Sequence, residues 1–365
     1  EGPGSLSSLP EILNGMEPDS RRILLLVWSE EVLKNPAFSF LLDQKSGFQT
    51  LPFSFQASNP TVEQLFETYE ATKEFAPAVV IAVGGGSIMD VGKSLCCLYG
   101  HSLSNVDALR ELIVTKAYGT PAARWIGIPT TAGTGSETTC WATIWDPSQD
   151  AKRSVECHEN YAWAAVVDSD LTKGMPLKLA VSSGLDAAAH GVESYWAKGT
   201  NCVSRAMALS AIRMIMENME GLLAGRETAR EAMARGSMMA GLAFSNTKTT
   251  ACHSISYPLT MHYSIPHGAA VSMLLAPLLK RNLPATKGSE ALLNALGVSD
   301  VDELTRKIRR ILKESGQPST LKEWGVKKED LPRLAALGMT KGRADNNPVA
   351  IDAPMIQEIL EEIYE

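Results

Sequence analysis

The chain has 365 residues, 45% of them hydrophobic and 21% charged, and a formal net charge of −7. That is the balance of an ordinary soluble protein, long enough for about two domains at about 100–200 residues each. The acidic balance lacks the basic footprint of a nucleic-acid binder, and no apolar run approaches the roughly 20 residues that span a bilayer. Cys96, Cys97, Cys140, Cys157, Cys202 and Cys252 show neither C-x-x-C pairing nor the density of a disulfide scaffold. Reduced thiols and a cytoplasmic location are therefore expected. No secretory signal pattern is expected at the N-terminus, although the chain opens on Glu1 rather than Met.

From residue 22 to about 175, short apolar runs alternate with helix-length segments. The runs at 23–27, 78–83, 125–128 and 164–167 predict parallel strands buried on both faces. After Pro176 the β character nearly vanishes. Residues 203–223 have helical periodicity, with Ala206, Leu209, Ile212 and Ile215 among the apolar positions, and 227–243 continue in that style. Residues 301–315 predict a charged amphipathic helix whose buried stripe is Leu304, Ile308, Ile311 and Leu312. Gly and Pro punctuate Lys173-Gly174-Met175-Pro176. The expected division is an α/β domain at 1–175 and a helical domain at 176–365, with no internal repeat.

Two glycine-rich loops follow predicted strands. Gly84-Gly85-Gly86-Ser87-Ile88-Met89-Asp90 opens a helix, so backbone N–H groups could approach a pyrophosphate with no Cβ in the way and with the helix dipole in favour. A tight strand-to-helix turn would use the same glycines. The second loop, Pro129-Thr130-Thr131-Ala132-Gly133-Thr134-Gly135-Ser136-Glu137, supplies hydroxyls that could line a cofactor site. Neither loop is GxGxxG or GxxxxGK[ST].

Asp186 and His190, at i and i+4, share one helical face. Such a pair could be an ordinary surface feature. Its flanks, Ala187, Ala188, Ala189 and Val192, argue instead for a buried face, where unpaired charge is costly. Three further histidines, His253, His262 and His267, fall in a single window downstream. Two of them could complete four N/O ligands, a set suited to Fe(II) or Zn(II).

GGGSIMDVGK, PTTAGTGSE, LDAAAHGVES and the His253-x13-His267 spacing occur in this order. Together they resemble the iron-containing (group III) alcohol dehydrogenase family over nearly the whole chain. The resemblance implies the dehydroquinate synthase-like fold of that family: an α/β dinucleotide-binding domain with a parallel sheet, an all-α domain, and NAD(P) and metal held between them. It implies Asp186, His190, His253 and His267 as ligands of Fe(II), or of Zn(II). Cofactor contacts are implied at Gly84, Gly85, Gly86, Ser87 and Asp90, with Thr130, Thr131 and Thr134 nearby. It also implies a homodimer acting on a small aldehyde or alcohol, and structural roles for Leu171 and Pro176.

Three departures stand out. A proton-relay histidine common in the family is Tyr257 here, so Tyr257, His262 or water would do that work; His262 could equally be a packed rim residue. Ser29 stands where the family commonly has Asp, which would bind the adenosine ribose and repel a 2′-phosphate, so NADPH is expected to serve at least as well as NADH. Lys248 lies in Asn246-Thr247-Lys248-Thr249-Thr250, where small residues are usual. That segment resembles a branch that reduces phosphonoacetaldehyde to 2-hydroxyethylphosphonate, and Lys248 could accept the phosphonate or extend to solvent. Lys152 and Arg153 could assist or be solvated surface charges. The alternatives are a lyase or cyclase of dehydroquinate synthase-like fold and a glycerol dehydrogenase-like polyol enzyme. The full set of one aspartate and three histidines favours the dehydrogenase over both.

Overall fold

The computed structural model describes every residue except Asp19, Asp150 and Lys341, and the side chain of Gln44. The chain divides into two compact units, residues 1–131 with 136–171, and residues 132–135 with 172–365. The division comes four residues before the expected one. The stretch 132–135 goes with the second unit, which the sequence did not suggest.

The first unit carries β1 (Arg22–Val27), β2 (Gln49–Ser54), β3 (Val79–Gly84), β4 (Arg124–Pro129), β5 (Trp141–Asp146), β6 (Ala151–Glu156) and β7 (Ala164–Ala165). β2-β1-β3-β4-β7 form a parallel sheet, and β5 and β6 form an antiparallel pair. Leu24, Leu26, Val80, Ala82 and Trp125 enter one core cluster, while Ile23, Leu25, Val27, Val79, Ile81, Val83, Ile126 and Ile128 enter the other. Apolar layers on both faces explain why these strands read as unbroken apolar runs.

β2 was not anticipated. It is an edge strand, half-buried and carrying Pro52, and Pro is tolerated at an edge because it forgoes a ladder bond. Nor does the sequence pattern predict the β5–β6 hairpin, since its second strand, AKRSVE, is mostly half-buried and has no apolar run. Of the run at 164–167 only Ala164–Ala165 pairs as a strand, although Val166 and Val167 are buried.

Among the described residues the second unit carries no strand. Its central helix, Leu177–Trp196, follows Pro176 and is buried at every residue from Gly184 to Trp196. The helices Cys202–Leu223, Glu227–Thr247 and His267–Asn282 pack on it. In Cys202–Leu223, Ile212 and Ile215 are buried as expected of apolar positions, but Ala206 is exposed. In Val301–Glu314 the buried residues are Leu304, Ile308, Ile311 and Leu312, as the periodicity predicts. All six cysteines are free thiols. No helix among the described residues is long and apolar enough to cross a membrane.

Candidate functional site

In the second unit, Leu177–Trp196 presents Asp186 and His190 one turn apart, and Ala251–Tyr263 presents His253 near its start. His267 opens the next helix, His267–Asn282. A Cβ on Gly268 would lie 2.0 Å from the Ser182 carbonyl oxygen and 3.1 Å from Asp186 Cβ. Only glycine lets this helix start so close to the central one. One ligand atom each from Asp186, His253 and His267 lies within 4.8 Å of the other two. His190 stands beside this group rather than in it. Its ring stacks on Phe244 at 4.3 Å and on His253 at 4.4 Å between centroids.

The site is buried and its charges are strongly coupled. Burial alone would raise the Asp186 pKa, but the His190, His253 and His267 imidazoles hold it below the usual carboxylate range. Burial pushes His190 down to about 4. Burial also opposes a charge on His253, yet Glu193 and Asp186 overcome it and raise that pKa to about 10. Asp186 Oδ1, His190 Nδ1 and His253 Nε2 are buried with no hydrogen-bond partner, and Asp186 Oδ1 and His253 Nε2 lie 3.4 Å apart. Leaving such groups unmade costs about 1–3 kcal/mol each. A divalent cation would satisfy Asp186 Oδ1 and His253 Nε2, and a carboxylate with imidazoles suits Fe(II) or Zn(II).

Of the two relay candidates, Tyr257 stacks on His267 at 5.8 Å, with planes 12° apart. His262 is exposed in the last turn of Ala251–Tyr263. Lys248 ends the Glu227–Thr247 helix and is partly buried, at φ 62° and ψ 175°, a conformation that costs a non-glycine residue about 1–3 kcal/mol. Its turn is pinned by Asn346 Nδ2, which donates to the carbonyls of Thr247 and Thr249.

Glu193 lies in the LDAAAHGVES motif, whose local pattern assigns it no role. It is fully buried, and its Oε2 pairs with His253 Nδ1. The available signal was spacing: Glu193 is seven residues after Asp186, on the same helical face.

In the first unit, Gly84 ends β3 and Gly85 precedes the helix Gly86–Leu98. A Cβ on Gly84 would sit 2.4 Å from Ile88 Cγ1, and one on Gly85 would sit 3.2 Å from Thr131 Cγ2. The Thr130 N–H donates to the Gly84 carbonyl at 3.0 Å, and Ser87 Oγ accepts from the Asn59 N–H at 3.1 Å. The loop lies at the carboxyl end of β3 beside β1, where the chain's progress across the sheet reverses. Open α/β sheets bind ligands at such a point, and the helix start offers backbone N–H groups to phosphate. Ser29 is at the end of β1, its Oγ accepting from the Glu31 N–H at 3.2 Å.

Asp90 faces inward, accepting from Ser136 Oγ at 3.1 Å and lying 3.7 Å from Lys93 Nζ. Lys93 is fully buried and donates to Thr139 Oγ1 and the Trp141 carbonyl, both at 2.8 Å. Burial lowers its pKa to about 8. Thr130 and Thr131 belong to the first unit and Thr134 to the second. Arg153 is not a solvated surface charge, since its Nε bonds buried Asp146 at 2.6 Å; Lys152 is half-buried, with its Nζ 5.7 Å from the centre of the Trp145 ring.

Comparison with known proteins agrees with this geometry. Residues 1–169 match the model of the iron-containing alcohol dehydrogenases, and residues 180–364 match that of the Fe-containing alcohol dehydrogenase family, C-terminal. The chain is 31% identical to the NAD-dependent methanol dehydrogenase of Bacillus methanolicus over 91% of this chain and 87% of that one. It is 29% identical to the sulfoacetaldehyde reductase of Bilophila wadsworthia over 84% of this chain and 82% of that one. The crystal structure of sulfoacetaldehyde reductase from Bifidobacterium kashiwanohense in complex with NAD+ superposes with a TM-score of 0.86, at 26% identity, over 99% of this chain and 95% of that one. With both halves matched and the fold shared, the chain belongs to the iron-containing alcohol dehydrogenase family, oxidoreductases of alcohols and aldehydes.

Proposed function

We propose that this chain is a metal-dependent, NAD(P)H-linked reductase of small aldehydes. In this reading Asp186, His190, His253 and His267 hold the metal, and residues 84–87 hold the cofactor pyrophosphate. The observation that carries it is the buried group of Asp186, His253 and His267 within 4.8 Å, with Asp186 Oδ1, His190 Nδ1 and His253 Nε2 lacking hydrogen-bond partners.

When bound, an Fe(II) or Zn(II) ion would supply Lewis-acid polarisation of the carbonyl, and a nicotinamide would supply the hydride. The chain's own residues do the rest. Asp186 contributes the negative charge that balances a cation, and the backbone N–H groups at the start of the Gly86–Leu98 helix receive the pyrophosphate. Tyr257, whose ring stacks on that of His267, is the side chain we assign to give or take the alcohol proton.

The substrate class is a short anionic aldehyde, phosphonoacetaldehyde reduced to 2-hydroxyethylphosphonate being the specific case. Lys248 supports it, as a cation kept five residues before His253 in a backbone conformation that favours glycine. Two sulfoacetaldehyde reductases similar to this chain, named for an aldehyde with an anionic group, also support it.

The test is reconstitution with Fe(II) or Zn(II), followed by nicotinamide absorbance with NADPH or NADH and a panel of charged and neutral aldehydes. Turnover is expected in the loaded protein. Asp186→Ala and His267→Ala should lose both metal and nearly all turnover while keeping their circular dichroism. Full activity of metal-free His267→Ala protein overturns the reading.

A further inference from the structure

We infer that Glu193 is a positioning residue: it keeps the proton of His253 on Nδ1 and so leaves Nε2 as the nitrogen that faces a cation. The inference rests on the metal reading above and adds a residue to it. Glu193 is fully buried on the Leu177–Trp196 helix, and both of its oxygens are committed. Oε1 accepts from Thr250 Oγ1 at 2.8 Å, from the Cys252 N–H at 2.7 Å and from the His253 N–H at 3.4 Å. Oε2 takes His253 Nδ1.

The direction of these bonds is settled by donor chemistry. Trp196 Nε1–H can only donate, and it bonds Thr250 Oγ1 at 2.8 Å. The Thr250 hydroxyl accepts there and gives its own hydrogen to Glu193. Thr250 Oγ1 and the Cys252 and His253 N–H groups all donate to Oε1, and a carboxylate so surrounded by donors only accepts. The hydrogen in the Glu193–His253 bond is therefore held by Nδ1. His253 Nε2, 3.4 Å from Asp186 Oδ1 and without a hydrogen-bond partner, is left toward the other ligand atoms. A histidine ligates with the nitrogen opposite the one its hydrogen-bond partner protonates. One helix thus presents Asp186, His190 and the carboxylate that orients the ligand on the neighbouring helix.

A purely structural role is the competing account. Thr250, which precedes the Ala251–Tyr263 helix, makes no side-chain cap bond to it, and Glu193 Oε1 caps its first N–H groups instead. Glu193→Gln separates the two roles. Three donors converge on Oε1, so the amide oxygen of Gln would take that place and keep the cap. Its NH2 group would then face His253 Nδ1 as a donor and drive the ring proton to Nε2.

The experiment is ¹⁵N NMR of the histidine rings with Zn(II) affinity by chelator competition, on wild type, Glu193→Gln and Thr250→Val. Wild type is expected to show His253 Nδ1 protonated in both the metal-free and the Zn(II)-loaded protein. Glu193→Gln should fold, lose the Nδ1 proton signal and bind Zn(II) about 10–100-fold more weakly, the usual cost of removing a partner that orients a metal ligand. Thr250→Val, which keeps the carboxylate, should retain the Nδ1 proton and most of the affinity. A wild-type His253 with the proton on Nε2 alone overturns the inference, whatever happens to the variants. So does wild-type Zn(II) affinity in Glu193→Gln. A wild type that shows the Nδ1 proton but takes up no metal would sink the metal reading and leave the Glu193 bond standing.

Discussion

Tyr257 lies flat on His267, with ring planes 12° apart and centroids 5.8 Å apart. The stack places a phenol beside one of the two histidines that gather with Asp186, at a position where a histidine relay is common in the family. Tyr257→Phe keeps the ring and removes only the hydroxyl. If that hydroxyl carries the proton, turnover should fall about 10²-fold, at the low end for general acid–base groups, with metal content and KM unchanged. His262→Gln should change little, because His262 is exposed in the last turn of its helix. Unaltered turnover in Tyr257→Phe would assign the proton to water.

Ser29 offers a cleaner test of the cofactor than most positions. Its Oγ accepts from the Glu31 N–H and so caps the turn Glu30–Lys34. Asp caps as well as Ser, so Ser29→Asp preserves this turn while adding a carboxylate at the end of β1. That charge would bond ribose hydroxyls and repel a 2′-phosphate. The ratio of kcat/KM for NADH over NADPH should rise by roughly 1–3 kcal/mol, the scale of charged hydrogen bonds. A wild type that already rejects NADPH strongly would show that Ser29 is not the residue facing the ribose.

Lys248 sets recognition against stability. At φ 62° and ψ 175° it occupies backbone space that suits glycine. Lys248→Gly should therefore stabilise the fold by about 1 kcal/mol, whereas Lys248→Ala should not. Both should erase most of the preference for an anionic aldehyde over a neutral one of equal size, by about 1.5–3 kcal/mol. Thermal unfolding and paired kcat/KM measurements check the two halves separately. Equal losses on charged and neutral substrates would remove the anionic-substrate reading.

Asp146 ties the end of the β5–β6 hairpin to the rest of the first unit. Its buried carboxylate accepts from Arg153 Nε at 2.6 Å and from Arg110 Nε and Nη2 at 3.2 Å. Burial pulls its pKa up, but these guanidinium bonds win and lower it. A carboxylate with a lowered folded pKa contributes stability that is complete above its unfolded pKa of about 3.9 and is lost as pH falls through the folded value. Asp146→Asn should cost about 2 kcal/mol at neutral pH, below the usual ~3–5 for a fully buried pair, because both arginines are partly exposed. The deficit should shrink as pH falls below about 4, where the unfolded carboxylate takes up a proton, and vanish once pH drops through the lowered folded value. Urea midpoints at neutral and acidic pH measure it, and a constant deficit would contradict the ion-pair account.

Local pattern by itself determined the alternation of apolar strands with helices, the buried stripe of the Val301–Glu314 helix and the order of the four motifs. Each is a matter of periodicity or of residues near one another in the chain. Asp186 and His190 were legible because one helical turn brings i and i+4 together. The tertiary structure decided the rest. β2 became a strand because β1 offered it an edge, although its sequence is half-buried and interrupted by Pro52. Residues 132–135 went with the second unit through packing, the backbone of Gly133 lying close to Ser183 and that of Gly135 close to Gly241. Arg153, plausible in sequence as an anion partner, was claimed by Asp146 across the hairpin. Tyr257 rather than His262 reached His267, because only the fold sets which side of the Ala251–Tyr263 helix meets the next one. Glu193 stayed silent in the sequence for the same reason: its partner is 60 residues away, and no local pattern reports a contact made only when two helices pack.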